Sequence, residues 1–174
     1  MTATPLLGLR WAIKRSFLDY IARSPGGGGT LSDGAVATGS REVVFAPDPR
    51  RPPVFGAEGA VHAFQGAVTF TAHFGSLLVK IANPWVTIRG GQGELTVLDP
   101  FRLGHSVRLR VAAFGIDDHL IADGFDHWFA TDVRLAPEGC GLFNDVYLAG
   151  APLEPITIIV PHVRATSGLE KDGG

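Results

Sequence analysis

The sequence predicts a mainly β protein: an antiparallel β-sandwich or open barrel, with one N-terminal α-helix packed beside it. Three observations carry this expectation. The 174 residues hold 23 glycines and 12 prolines, too many chain breakers for a helical bundle. Most of the chain divides into short apolar or alternating runs bounded by Gly, Pro, Asp or Asn. One segment, Leu9 to Ala22, lacks both Gly and Pro and repeats apolar residues at a spacing of three to four.

In chain order, that segment is the predicted helix. Leu9, Ile13, Phe17 and Tyr20/Ile21 form its apolar stripe, and Lys14, Arg15 and Asp19 fall mostly off it. Ser24-Pro25 and the four glycines 26–29 end it. Ser16 and Tyr20 are four apart and project to one side. Weak strand signals cover Thr30 to Val36 and Glu42 to Phe45. Pro47 to Pro53, reading PDPRRPP, is a loop. Gly66 to His73 alternates, with Val68, Phe70 and Ala72 on one face and Thr69, Thr71 and His73 on the other. Phe74-Gly75-Ser76 reads as a turn and Leu77 to Ile81 as its hairpin partner. Further strands are expected at Trp85 to Ile88, Glu94 to Leu98, Val107 to Phe114, Trp128 to Leu135 and Ile156 to Val160. Residues 1–165 read as a single domain and 166–174 as a polar, disordered tail.

Composition excludes several function classes. Fifteen basic against seventeen acidic residues give a formal charge of −2, so binding of nucleic acid or anionic membrane by global charge is not expected. The single cysteine, Cys140, excludes an intrachain disulfide and any multi-cysteine metal site. No apolar run approaches the roughly 18 residues of a membrane span, and no secretory leader is evident, so a cytoplasmic protein is expected.

The four glycines lack the Lys-Ser/Thr of a phosphate loop and follow a helix, so they read as a connection. Gly90 to Gly93 is a turn by the same logic. Asp117-Asp118-His119 and Asp123 to His127 make an acidic, His-bearing stretch that matches no metal motif and reads as a solvated loop. His62, His105 and His162 read as isolated surface or turn histidines. Tyr20 and His73 form the sharper pair. They read either as a half-buried tyrosine satisfied by a histidine, or as a ligand and its hydrogen-bond partner, and periodicity alone favours the first.

The motifs change that balance. The run Leu9 to Ile21, LRWAIKRSFLDYI, resembles the opening signature of HtaA-type haem-binding domains, roughly W-x-x-K-x-S-F-x-x-Y-[IV]. The likeness continues through Gly28-Gly29-Thr30 and Ser32-Asp33-Gly34-Ala35. It resumes at Phe64 to His73 (F-x-G-x-V-x-F-x-[GA]-H), at Asn83-Pro84 and at Tyr147 to Pro155. It spans about residues 9–160. The resemblance implies a mostly antiparallel sheet with the helix beside a haem slot, and ferric haem b as the ligand. It implies Tyr20 as the axial ligand of the iron, His73 as its hydrogen-bond partner, Ser16 at the propionates and Tyr147 lining the pocket. Phe17 and Val146 are implied ring contacts, although the family often has an aromatic where Val146 stands.

Those residue types suit that chemistry. Ferric iron is a hard Lewis acid, and tyrosinate is one of the known haem ligands. A free phenol ionises near pH 10. The metal's charge and a donated hydrogen bond both favour the phenolate. A histidine supplies that donor, and its other nitrogen is expected to orient it. The implied function is non-enzymatic haem transfer, storage or detoxification, with a haem donor or acceptor protein as partner. A symmetric homodimer covering the slot's apolar mouth is a further expectation. The alternatives are a haem-dependent peroxidase or catalase-like enzyme, and a β module that binds another apolar ligand or a protein.

Overall fold

The computed structural model describes residues 4–39, 41–57, 59–104 and 106–164. His105 and the polar tail 166–174 lie outside them. The chain begins with β1 (Gly8–Trp11), α1 (Arg15–Arg23), β2 (Gly28–Ser32), β3 (Val36–Ala37) and β4 (Val43–Pro47). It continues through β5 (Val54–Gly56), β6 (Gly59–Gln65), β7 (Ala67–Ala72), β8 (Leu77–Ala82), β9 (Trp85–Arg89) and β10 (Gln92–Leu98). The last strands are β11 (Arg108–Gly115), β12 (Asp118–Ala122), β13 (Phe125–Ala130), β14 (Val133–Leu135), β15 (Pro152–Leu153) and β16 (Ile156–Pro161).

Among the described residues these strands form one large antiparallel sheet and one small one. The large sheet runs in the order β12-β13-β16-β1-β4-β6-β9-β10-β11-β14-β15, with β3 beside β4 and β5 beside β6. It curls into a half-barrel. At its bend, β4 pairs with β1 through Val43 to Phe45 and then with β6 through Ala46 and Pro47. A register shift between Leu95 and Thr96 adds local twist where β10 meets β11. The curl brings β6 back toward β13, four places away in the order, and sets the His62 and Trp128 rings 5.1 Å apart. The small sheet, β2-β7-β8, is the structure's second strand layer, and Phe70 of its central strand packs edge-on against Phe17 of the helix. The enclosed core includes Leu9, Trp11, Phe17, Phe45, Phe64, Leu95 and Phe143.

The mainly antiparallel β expectation therefore holds, and several elements differ from it. The predicted helix begins six residues late. Leu9, Trp11 and Ile13 alternate at strand spacing while Leu9 and Ile13 also fit the helical stripe, and β1 sits between β16 and β4 with the Leu9 and Trp11 side chains fully buried. Gly8 explains the choice: its φ is +129°, and a Cβ there would meet the Phe45 carbonyl oxygen at 2.0 Å. Ile13, at φ 62°, then breaks the extended backbone, so the chain enters the helix at Arg15. Glu154 closes this start, its carboxylate accepting from the Arg15 N–H at 2.9 Å and its own N–H donating to the Ile13 carbonyl at 2.8 Å.

The acidic stretch 117–127 is a hairpin and not a loop. Asp123-Gly124 makes a two-residue turn between β12 and β13, with positive φ at both residues. The predicted strand from Trp128 to Leu135 is two strands, β13 and β14, in distant places of the sheet order. His62 is not a surface residue; it is buried on β6. His162 is not isolated, because its Nδ1 lies 2.9 Å from the Asp126 carboxylate, whose other oxygen meets His119 Nε2 at 2.8 Å.

Candidate functional site

The end of α1 and the end of β7 meet at one place. Tyr20 is in the second turn of the helix, and His73 follows β7 directly. Tyr20 Oη and His73 Nε2 lie 2.7 Å apart, a single hydrogen bond whose direction follows the imidazole tautomer. The backbone aims the histidine. Its N–H donates to the Pro25 carbonyl at 2.7 Å, and its φ is 51°, followed by Phe74 at 55°. Two successive non-glycine residues in the left-handed region carry a cost of order 1–2 kcal/mol each, and such strain persists where surrounding structure over-determines it. The other imidazole nitrogen has no protein partner among the described residues, so the expectation that it orients the ring is replaced by this backbone clamp.

The four glycines make the meeting possible. At Gly27 a Cβ would meet the Ile21 carbonyl oxygen at 1.8 Å, so only glycine lets the chain turn back this closely over the helix end. Ser24 satisfies that end, its hydroxyl donating to the Tyr20 carbonyl at 2.7 Å.

Beside the pair lies a cleft of about 440 Å³, within the range of small-molecule and cofactor sites. It is lined by Phe17, Tyr20, His73, Ser76 and Leu77 together with Phe143, Asn144, Val146 and Tyr147. Phe17 is buried and meets both Phe70 and Phe143 edge-on at 5.3 Å between ring centroids. Phe143 in turn meets Tyr147 at 5.8 Å. Lys14 holds Tyr147 from the other direction. Its ammonium lies 4.8 Å from the ring centroid while donating to the Pro152 carbonyl at 2.9 Å. Tyr20 and Val146 are substantially exposed, at 47% and 71%, so the cleft is open at its rim.

The structure thus gathers Tyr20, His73, Phe17, Val146 and Tyr147 around one cleft. Ser16 stands apart from it. It lines an adjoining polar groove with Asp19, Tyr20, Arg23, Ser24, Pro25 and His73. Ile13, on the same predicted apolar stripe as Phe17, lines a different apolar hollow with Leu18, Ile21 and Val43. Sequence reasoning missed Phe143 and Asn144. They close the 3-10 segment Pro137–Phe143, whose one legible signal was Pro137 opening a turn before two glycines.

A curled antiparallel half-barrel with a helix-borne tyrosine bonded to a strand-end histidine over an aromatic cleft defines a β domain with an open cleft of small-molecule size. The HtaA family model, described as Htaa, matches residues 7–159, and the chain belongs to that family. The C-terminal domain of HtaA from Corynebacterium glutamicum is similar at 26% identity, with 88% of this chain and 94% of that chain covered and a TM-score of 0.69. The N-terminal domain of the same protein superimposes with a TM-score of 0.72 at 20% identity, covering 90% of this chain and 96% of that one. The haem-binding protein HtaB from the same organism shares the fold at 19% identity, with 88% and 91% covered and a TM-score of 0.59. The comparison with curated proteins gives no match.

Proposed function

We propose that this chain binds ferric haem b in the cleft beside α1, with Tyr20 as the axial ligand, and serves haem transfer, storage or detoxification without catalysing a reaction. The observation that carries the reading is the 2.7 Å Tyr20–His73 pair at the edge of an aromatic-walled cleft. Membership of the HtaA family supports it. The residues present fit the group. Phe17, Phe143 and Tyr147 supply an apolar aromatic lining, and the hydroxyl of the half-exposed Tyr20 supplies the oxygen. Ferric haem, when bound, supplies a hard Lewis acid that prefers an anionic oxygen donor. His73 Nε2 is placed to donate to the phenolate and hold it charged. Ser16 and Arg23 in the adjoining groove suit the propionates. Val146, which lines the cleft, and Phe74 and Leu148, the chain neighbours of its lining residues His73 and Tyr147, are 71%, 86% and 82% exposed, apolar surface that a second copy in a symmetric dimer would cover.

Haemin titration followed by absorption spectroscopy tests the reading. Wild type is expected to give a saturable, high-spin tyrosinate-type spectrum, and Tyr20→Ala to lose it. A Tyr20→Ala protein with unchanged spectrum and affinity overturns the assignment of the ligand.

A further inference from the structure

The PDPRRPP loop takes no part in the haem cleft, yet it builds a second one. β8 starts at Leu77 in the first cleft and ends just before Asn83 in the other. That separates the two by on the order of 20 Å at ~3.3 Å per strand residue. The second cleft, of about 490 Å³, is lined by Asp48, Arg50, Arg51, Asn83, Trp85, Leu98 and Arg108.

Its charges are unbalanced. Three guanidiniums face one carboxylate. That carboxylate, Asp48, is buried and committed to Arg50, whose backbone N–H and Nε donate to Oδ1 at 3.0 and 3.3 Å. Arg51 and Arg108 remain, and neither pairs with a carboxylate among the described residues. Both instead lie over one ring: the guanidinium carbons of Arg108 and Arg51 are 4.3 and 5.2 Å from the Trp85 centroid. Burial and the neighbouring Arg51 charge lower the Arg108 pKa to about 10.

The arrangement is held in place before any ligand arrives. Arg108 Nη2 donates to the Asn83 and Thr96 carbonyls at 2.6 and 2.9 Å, and Nε donates to the Thr96 hydroxyl at 3.2 Å, leaving Nη1 outside these bonds. The loop carrying Arg51 is stiffened by Pro47, Pro49, Pro52 and Pro53 and tied down by Asp48 N–H to the Ala63 carbonyl at 3.0 Å. Two uncompensated like charges in a concave, polar cleft are stabilised by one ligand that answers both. We propose that this cleft, walled by Trp85 and crossed by Arg51 and Arg108, binds a dianionic oxyanion group, either a phosphate monoester or a dicarboxylate. The Arg51 guanidinium fork matches both chemistries in a bidentate manner, Arg108 adds its free Nη1 donor, and a charge of about −2 offsets the two uncompensated cations.

The test is a titration of the haem-free protein with inorganic phosphate, succinate and sodium chloride at matched ionic strength. The readout is the Trp85 indole N–H resonance, identified by its loss in Trp85→Phe. A saturable shift with phosphate but not succinate assigns the site to phosphoryl groups; the reverse assigns it to dicarboxylates; either bears out the proposal. Arg51→Gln is the deciding variant, because Arg51 is exposed whereas Arg108 also holds two strands together. It is expected to weaken binding at least tenfold with an unchanged melting temperature. Chloride acting as strongly as both anions, no saturation with either, or wild-type affinity in Arg51→Gln overturns the proposal.

Discussion

His62→Leu is expected to stabilise this protein, and by more in acid than at neutrality. His62 is 2% exposed, and neither ring nitrogen has a hydrogen-bond partner among the described residues. It faces Trp128 at 5.1 Å and Phe55 at 6.0 Å, an aromatic setting that leucine fits. An unsatisfied buried polar group costs about 1–3 kcal/mol, so removing it gains a similar amount at pH 7.5. The pH dependence has a definite sign. Burial pushes the imidazole pKa down, and the Asp126 carboxylate opposes this only in part. The unfolded chain, with an ordinary pKa of about 6.5, therefore binds a proton that the folded chain refuses. Wild-type stability is complete above that value and falls as the pH drops below it, by at most about 1.4 kcal/mol per pH unit, until the folded pKa is reached. His62→Leu lacks this loss. Urea unfolding of both proteins at pH 7.5, 6.5 and 5.5 measures the difference. If the gap between them is constant across that range, or if the variant is the less stable at pH 7.5, the assignment of His62 as a buried, neutral, unpartnered base is refuted.

Two further outcomes follow from the proposed haem cleft. Phe17→Ala removes a buried ring wedged between Phe70 and Phe143 and is expected to cost about 3–5 kcal/mol in urea unfolding, while weakening haemin binding through loss of the wall; a cost below about 1 kcal/mol contradicts the packing described. Gly27→Ala sets a methyl group against the Ile21 carbonyl and is expected to separate Tyr20 from His73, so that haemin gives an altered spectrum even where circular dichroism shows the sheet intact; an unaltered spectrum contradicts the role of the glycine connection.

The strands with clear alternation were legible in the sequence because their register buries one face. Ala67–Ala72 and Leu77–Ala82 match the expected hairpin within a residue or two. The helix start was not legible, because Leu9 and Ile13 fit the helical stripe while Leu9, Trp11 and Ile13 also alternate as a strand, and only the sheet decides between them. The strands Gly59–Gln65 and Pro152–Leu153 gave no separate signal, since pairing with other strands defines them. His62 was misread for a related reason. A histidine in a half-alternating run reads as exposed until the curl of the sheet lays Trp128 over it. The Tyr20–His73 pair came from motif order and not from periodicity, which placed each on a face without linking the two. Phe143 escaped because a 3-10 segment carries no hydrophobic period long enough to read.

The site's precision comes from backbone and not from a network of side chains. The Tyr20 and His73 side chains are both exposed, and exposed polar pairs contribute little to stability. Their bond alone therefore does not hold the two elements together. Three features that act on main-chain groups do: the Glu154 cap that fixes where α1 begins, the glycine connection that folds back over its end, and the Pro25 carbonyl that takes the His73 N–H. Each uses a group that secondary structure leaves unpaired, so the clamp adds no buried polar debt. The strained φ of His73 and Phe74 is then a consequence of β7 ending in register with β8 while its next N–H is already committed to the helix side. A phenol and an imidazole held this way stay in reach of each other yet open to solvent on their outer side. That combination suits a ligand that must enter and leave, because binding requires no prior rearrangement of the residues that receive it.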